Sequence, residues 1–292
     1  MQSIALAGGK LKIENLKFYM LLDIDPSAEK TKITSFIKSV LRKQDFEKVV
    51  VGMSGGIDSA ASFYLLKEAI PPQNIFAAHL YYYDSQFKDI EPILKEAKIP
   101  KDNIYELSIN SLVEAFQQTL FPFMSFPRKR ESRSSIKSRM TKEEANRVRF
   151  GNIMARVRMI ILYDIAKKHN ALVCGTENKS EALLGYFTRF GDEASDFEPI
   201  QHLYKTQIYQ LAKYLNVPQN IINKIPTAGL WPGQTDENEF GFSYKEADKV
   251  LYLYSEKKMS IIQIAKDFPN AKKIIDWVNK NSFKHHLPYT IK

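Results

Sequence analysis

The chain has 292 residues, 44% of them apolar, one cysteine and a formal charge of +9. Its length suits one large domain or two small ones, and its apolar share supplies a sizeable core. The lone cysteine excludes an internal disulfide. No apolar run approaches the roughly 18 residues of a membrane span, and MQSIALAGGKLK is too weakly apolar for a secretory leader, so a cytoplasmic protein without a membrane partner is expected.

In chain order, SAEKTKITSFIKSVLRKQ (27–44) reads as an amphipathic helix capped by Ser27, with Ile33, Phe36, Ile37 and Val40 on its apolar face. KVVVGM (48–53) is a short β-branched run, the mark of a buried strand, and IDSAASFYLLKEA continues as a helix. NIFAAHLYYYDS is a second strand, DIEPILKEAKIP a helix, NIYELSI a third strand and SLVEAFQQTL another helix. FGNIMARVRMIILYDIAKKHN (150–170) is a long helix with Ile153, Val157, Ile160, Ile161 and Ile165 on one face. ALVCGT is a fourth strand that buries Cys174 as an inert thiol, and YKTQIYQLAKYLNV is a helix with Ile208, Leu211, Ala212 and Leu215 inward. Strands alternating with helices give an α/β fold, a parallel sheet with helices on both faces in the Rossmann-like manner. Ligands in such sheets bind beyond the carboxyl ends of the strands, where SGGIDS and GTENKSE both fall.

One segment interrupts the alternation. Between Phe126 and Arg149 nine Lys or Arg face three Glu, so 24 residues carry +6 of the total charge. The composition is that of a solvated surface insertion, about 122–147, within one domain spanning 1–292; its other reading is a patch for a polyanion. Nucleic acid is an unlikely partner on this count, because the rest of the chain is nearly balanced.

The turn Ser54-Gly55-Gly56 between strand and helix carries the first chemical signal. Glycines let backbone approach a ligand, and the helix that follows turns its free N–H groups and positive dipole end on the turn, which makes an anion site. A Walker A loop would add a lysine, and this turn has none. Asp58 instead places a carboxylate beside bound phosphates, an arrangement that calls for Mg²⁺ between the two anions. Glu181, at the start of the helix after the fourth strand, is placed to share that metal. Lys205 offers a compact positive charge to phosphates, its bland reading being a solvated lysine at a helix start.

SGGIDS, GNIMARVRM, GTENKSE, YFTRFGDEASDFEPI, YKTQ and KIPTAGLWPGQTDENEFGFSY stand in the order seen in ammonia-dependent NAD⁺ synthetases, and the chain resembles that family from about residue 30 to the end, the basic insertion apart. The resemblance implies the adenine nucleotide alpha hydrolase-like fold of the pyrophosphate-loop superfamily. It also implies the reaction: ATP adenylates the nicotinate carboxylate of deamido-NAD⁺ with release of pyrophosphate, and ammonia displaces AMP. By the same likeness Gly52, Met53, Ser54, Gly55, Gly56, Ile57, Asp58 and Ser59 cradle the phosphates of the co-substrate ATP. Thr176, Lys205 and Thr227 also contact ATP. Asp58 and Glu181 bind Mg²⁺. Arg156, Arg189, Asp192, Asp196, Phe283 and Lys284 face deamido-NAD⁺, and Asp58, Lys205 and Asp192 form the catalytic set. The resemblance further implies a homodimer with the 150–169 helix in its interface.

The chain departs from the family pattern at several places. Arg189 replaces a lysine, Phe283 a histidine, His285 an arginine, and Leu80-Tyr81 stands for Leu-Pro. Glutamine-dependent relatives carry an added amidase domain with a catalytic cysteine, for which this sequence offers no room and no suitable thiol, so free ammonia is the expected nitrogen source. Two other readings compete. One is a pyrophosphate-loop adenylating enzyme acting on tRNA or in sulfur transfer, which usually needs reactive cysteines or an RNA-binding domain. The other is a nucleotide-binding protein without turnover, which the intact SGGIDS, Glu181 and Lys205 disfavour.

Overall fold

A computed structural model describes residues 22–120 and 142–285, with backbone alone at 142–145. Helix α1 (Pro26–Gln44) precedes β1 (Lys48–Gly52). Then follow α2 (Ile57–Ala69), β2 (Ile75–Tyr81), α3 (Phe87–Glu96), β3 (Ile104–Ser108), α4 (Asn110–Leu120), α5 (Lys142–His169) and β4 (Ala171–Cys174). The four strands pair in parallel in the order β3-β2-β1-β4. Strand pleating divides their side chains between two layers. Val49, Val51, Ile75, Ala77, Leu172 and Cys174 face a core closed by α1, α2 and α3, while Val50, Phe76, Ala78, Leu80, Ala171 and Val173 face α4 and α5. Apolar residues on both faces explain why these strands read as continuous β-branched and apolar runs rather than alternating ones.

After β4 the described chain forms only helices: α6 (Lys179–Leu184), α7 (Lys205–Tyr214), α8 (Gln219–Ile222), α9 (Asp236–Phe240), α10 (Tyr244–Ser255), α11 (Ile261–Ile264) and α12 (Ala271–Asn281). Helices α7 and α8 complete the first layer. A separate apolar cluster joins Leu184, Phe240, Tyr244, Val250, Leu251, Ile264, Ile274 and Ile275, and it packs the C-terminal helices against α6. Among the described residues no helix is long and apolar enough to cross a membrane.

Two expectations are corrected. Asp25, not Ser27, caps α1: its Oδ1 accepts from the amides of Ser27 at 3.0 Å and Ala28 at 3.2 Å, with Pro26 in the first helical position. The missing amide of a proline costs nothing there, which favours starting one residue earlier. Ile160 and Phe36 do not belong to buried faces; they are 62% and 42% exposed. Helix α5 begins at Lys142, so 142–147, the end of the expected insertion, is helical. Those residues are mostly good helix formers. The remainder of the expected insertion, 122–141, lies outside the described residues.

The strand order positions the site. The chain builds outward from β1 through β2 to β3, then returns to lay β4 on the other side of β1. The loops after β1 and β4 therefore leave neighbouring strand ends where the strand order reverses, and the crevice lies beyond them, the usual ligand position of an open parallel sheet.

Candidate functional site

The turn after β1 is anchored from below. The Met53 amide donates to Ala78 O at 2.8 Å, and Met53 O lies 2.7 Å from His79 Nδ1. The other ring nitrogen of His79 accepts from the Gln86 amide at 3.2 Å, so the network requires a neutral ring with its proton on Nδ1. Burial, which lowers the His79 pKa, favours that state. Gly55 has φ +79°, a conformation that side chains disfavour. Ser54 and Ser59 close the turn, with Oγ atoms 3.0 Å apart, Gly56 N donating to Ser54 Oγ and Ser59 Oγ to Gly56 O. No side chain caps α2, whose N-cap is Gly56. Its first amides thus face the crevice.

The loop after β4 supplies the second wall. Asn178 caps α6: its Oδ1 accepts from the Glu181 amide at 3.0 Å, while Glu181 Oε2 accepts from the Asn178 amide at 3.3 Å. The Asn178 Nδ2 then donates to Asp58 Oδ1 at 2.9 Å. One fully buried residue thereby holds both carboxylates, Asp58 through its side-chain amide and Glu181 through its backbone amide. Lys205, first residue of α7, closes the group with Nζ 2.5 Å from Asp58 Oδ2 and 3.2 Å from Glu181 Oε1. Burial alone would lower the Lys205 pKa, but Asp58 and then Glu181 hold its ammonium well above the usual range. Burial pushes Glu181 up to about 8 against the pull of Lys205. The bland reading of Lys205 as a solvated lysine is excluded, since its side chain is 3% exposed.

Helix α7 is set by a second buried carboxylate. Asp248 on α10 accepts from Ser180 Oγ and from the Thr206 amide at 2.8 Å, while Ser180 Oγ accepts from the Lys205 amide at 2.8 Å. The first two free amides of α7 are thus satisfied by α6 and α10, which fixes where Lys205 emerges.

These walls enclose a cavity of about 680 Å³. Of the residues expected at the site, Gly52, Met53, Ser54, Gly56, Ile57, Asp58, Ser59, Thr176, Glu181, Asp192, Lys205, Thr227 and Lys284 line it, and Gly55 shapes the turn behind them. Asp192 accepts from the Thr188 amide at 2.8 Å. Lys284 donates to the carbonyls of Gly185 at 2.7 Å and Phe187 at 2.8 Å. Arg156, Arg189, Asp196 and Phe283 are not among the lining residues. Arg156 is exposed and donates to Arg189 O at 3.0 Å, and the Arg189 guanidinium lies over Phe190 and Phe283. Asp196 is tied to β4 through the Val173 amide at 2.7 Å.

Sequence reading missed Asn178, His79, Arg158 and Lys224, all but the first of which line the cavity. Arg158 donates through Nε to Leu80 O at 3.0 Å. It sits two residues from Arg156, about 200° around the helix, so the two arginines face opposite ways. For Asn178 a signal existed: Asn followed three residues later by Glu is a capping-box spacing.

Among the described residues no group of three or more His, Cys, Asp or Glu is arranged to hold a metal. The pair Asp58 and Glu181 nevertheless fits Mg²⁺, which takes one or two carboxylates with substrate phosphates as the remaining ligands. A cation, the Lys205 ammonium, already lies between them. Cys174 is buried, donates to Gly175 O at 3.3 Å, and has its thiol pushed well up by burial, so it is no nucleophile.

A lysine-free phosphate turn facing paired carboxylates across the switch point of a parallel sheet is the architecture of the pyrophosphate-loop enzymes, which use ATP. Within that class a family model for NAD synthase matches residues 29–288, and the chain belongs to this family. It is 35% identical over 274 residues to the NH(3)-dependent NAD(+) synthetase of Fusobacterium nucleatum, covering 93% of this chain and 98% of that protein. The NH3-dependent NAD synthetase of Campylobacter jejuni superposes with a TM-score of 0.70 at 30% identity, over 92% of this chain and all of its own. The structure of an NMN synthetase from Francisella tularensis superposes at 0.73 with 33% identity, over 92% and 99%. The reading as a tRNA-modifying or sulfur-transfer enzyme is not favoured by these matches.

Proposed function

We propose that this chain converts deamido-NAD⁺ to NAD⁺ with ATP and free ammonia. Its membership of the NAD synthase family supports the reaction, and one observation carries the assignment of the site: Asn178 and Lys205 hold Asp58 and Glu181 together at the mouth of an uncapped phosphate turn. The nicotinate carboxylate oxygen attacks the α-phosphorus of ATP, the bond to the β-phosphate oxygen breaks, and pyrophosphate leaves. Ammonia then adds to the acyl carbon of the adenylate, AMP departs with the C–O electron pair, and the nitrogen releases a proton to give the amide.

The turn amides 54–59 and the N-terminus of α2 receive the phosphates, with Thr176 and Thr227 at the cavity wall completing the ATP site. Asp58 and Glu181 would hold Mg²⁺, and a metal bound there would offset phosphate charge and polarise the α-phosphorus. Lys205 keeps the two carboxylates from repelling each other and stays cationic beside the reacting phosphate. Asp192 and Lys284 orient the nicotinate end from the far wall. Enclosure of the cavity keeps water from hydrolysing the adenylate.

The same reading makes the protein a cytoplasmic homodimer. Leu112, Phe116 and Leu120 recur at four-residue spacing on α4 and are 47%, 46% and 37% exposed, and Ile160 and Tyr163 of α5 are 62% and 37% exposed. An apolar stripe of that kind favours a second copy of the chain. Arg156, Arg189, Asp196 and Phe283, which stand outside the cavity, then reach deamido-NAD⁺ bound across the interface.

The test is pyrophosphate release and NAD⁺ formation with ATP, Mg²⁺ and ammonium, each supplied with deamido-NAD⁺ or with nicotinate mononucleotide. The mononucleotide arm is prompted by the likeness to the Francisella NMN synthetase. Turnover dependent on deamido-NAD⁺ supports the reading. Turnover with the mononucleotide alone replaces the substrate and keeps the chemistry, and turnover with neither refutes both.

A further inference from the structure

The phosphate turn offers an anion backbone amides and a helix dipole but no side-chain cation of its own. The Lys205 ammonium is already shared between Asp58 and Glu181, within a side chain 3% exposed.

On the other side of the turn stands Lys224, carried by the segment between α8 and α9. Its Nζ is 3.4 Å from Gly55 O and 3.7 Å from Asp89 Oδ2, and its side chain is 32% exposed. The same atom lies 3.4 Å from the point a Cβ on Gly55 would occupy. Lys224 therefore hangs over the Gly55-Gly56 peptide, and it lines the same cavity as Gly56, Ile57 and Asp58. Both of its contacts are long and partly solvated, so releasing them costs little. A four-carbon stem with three rotatable donors suits a phosphate as a point charge. An added charge here meets a need of the reaction as well. Pyrophosphate leaves with more negative charge than it held as an ester, and a cation at its far end lowers the barrier to that departure.

We propose that Lys224 binds the terminal phosphates of ATP and the departing pyrophosphate, supplying from outside the turn the charge that a Walker lysine supplies from within. The inference rests on the reading of the turn as an ATP site given above. The alternative is that Lys224 only tethers the 223–235 segment to Gly55 and Asp89.

The experiment compares wild type, Lys224→Met and Lys224→Arg in full-length protein. It measures the inhibition constant of pyrophosphate, KM for ATP, KM for deamido-NAD⁺ and the melting temperature. Loss of a charge-assisted contact predicts that Lys224→Met raises both the pyrophosphate constant and KM for ATP about tenfold or more, with KM for deamido-NAD⁺ and the melting temperature unchanged. Lys224→Arg restores most of the loss. An unchanged pyrophosphate constant overturns the proposal. So does a fall in melting temperature with all constants moving together, the signature of a tether. Calorimetric titration of Mg-pyrophosphate into wild type and Lys224→Met separates the two levels of inference. A wild type that makes no NAD⁺ sinks the proposed function, while a difference in pyrophosphate affinity still decides the role of Lys224.

Discussion

Asn178 gives the sharpest perturbation, because one side chain does two separable things. Its Oδ1 accepts from the Glu181 amide as the cap of α6, and its Nδ2 donates to Asp58 Oδ1 at 2.9 Å. Asn178→Asp keeps a capping oxygen but turns the donor into a third carboxylate oxygen against Asp58. Asn178→Ala removes both functions. Loss of a cap costs about 1 kcal/mol, and loss of a hydrogen bond to a charged group costs about 1.5–3 kcal/mol. Asn178→Ala is therefore expected to lower folding stability by about 2.5–4 kcal/mol, since the residue is fully buried and nothing replaces its contacts. Asn178→Asp keeps the cap but buries a carboxylate against Asp58, so it too loses stability, through charge repulsion rather than through loss of the cap. If the position of Asp58 matters to the transition state, its kcat/KM for ATP falls roughly ten- to hundredfold, at about 1.4 kcal/mol per factor of ten. Denaturant unfolding and steady-state kinetics on both variants give the two quantities. Asn178→Asp with wild-type kcat/KM would refute the coupling of Asn178 to Asp58.

Asp58→Asn and Glu181→Gln are each expected to remove most turnover while the fold survives, and Mg²⁺ titration of the variants checks the metal assignment. Gly175→Ala places a methyl 1.7 Å from Glu198 Oε1, far inside contact distance, so a loss of at least about 1–3 kcal/mol of stability is expected by thermal unfolding. Burial raises Glu177 to about 9, above its unfolded value near 4.3. The unfolded state gives up that proton first as pH rises. The contribution of Glu177 to stability is therefore full below about pH 4, declines up to about pH 9, and is lost above it. Glu177→Gln should flatten this slope in a series of unfolding curves, and an unchanged slope would count against it. Phe116→Glu, on the exposed stripe of α4, should shift sedimentation from dimer to monomer.

What the sequence made legible was local. The β1 turn could be read because glycines, a preceding apolar strand and a following helix lie within one stretch of about twenty residues. Asp58 could be read for the same reason. The strands announced themselves because both faces of this sheet are covered, which makes each strand an unbroken apolar run. What stayed hidden depends on contacts between distant segments. Asn178 and Asp58 are 120 residues apart, and Lys224 and Gly55 are 169 apart. Nothing in the local pattern of an asparagine or a lysine announces such a partner.

Arg156 and Arg158 carry this argument to its limit. They differ by two positions in one helix and by nothing in charge, and the family resemblance points to the first. In a single chain the second lines the cavity, while the first lies on the outer surface against Arg189 O. Both assignments hold only if a second copy of the chain brings its own cavity to Arg156. The exposed α5 residues Ile160 and Tyr163 lie one to two turns further along the same helix and mark where such a copy would pack. Arg156→Ala should then raise KM for deamido-NAD⁺ in the dimer and leave KM for ATP as it was. Arg158→Ala acts inside one subunit and should disturb the cavity whether or not the dimer forms. If dimerisation is abolished by Phe116→Glu and Arg156→Ala still adds its full effect, the shared-site reading fails and Arg156 acts within its own chain.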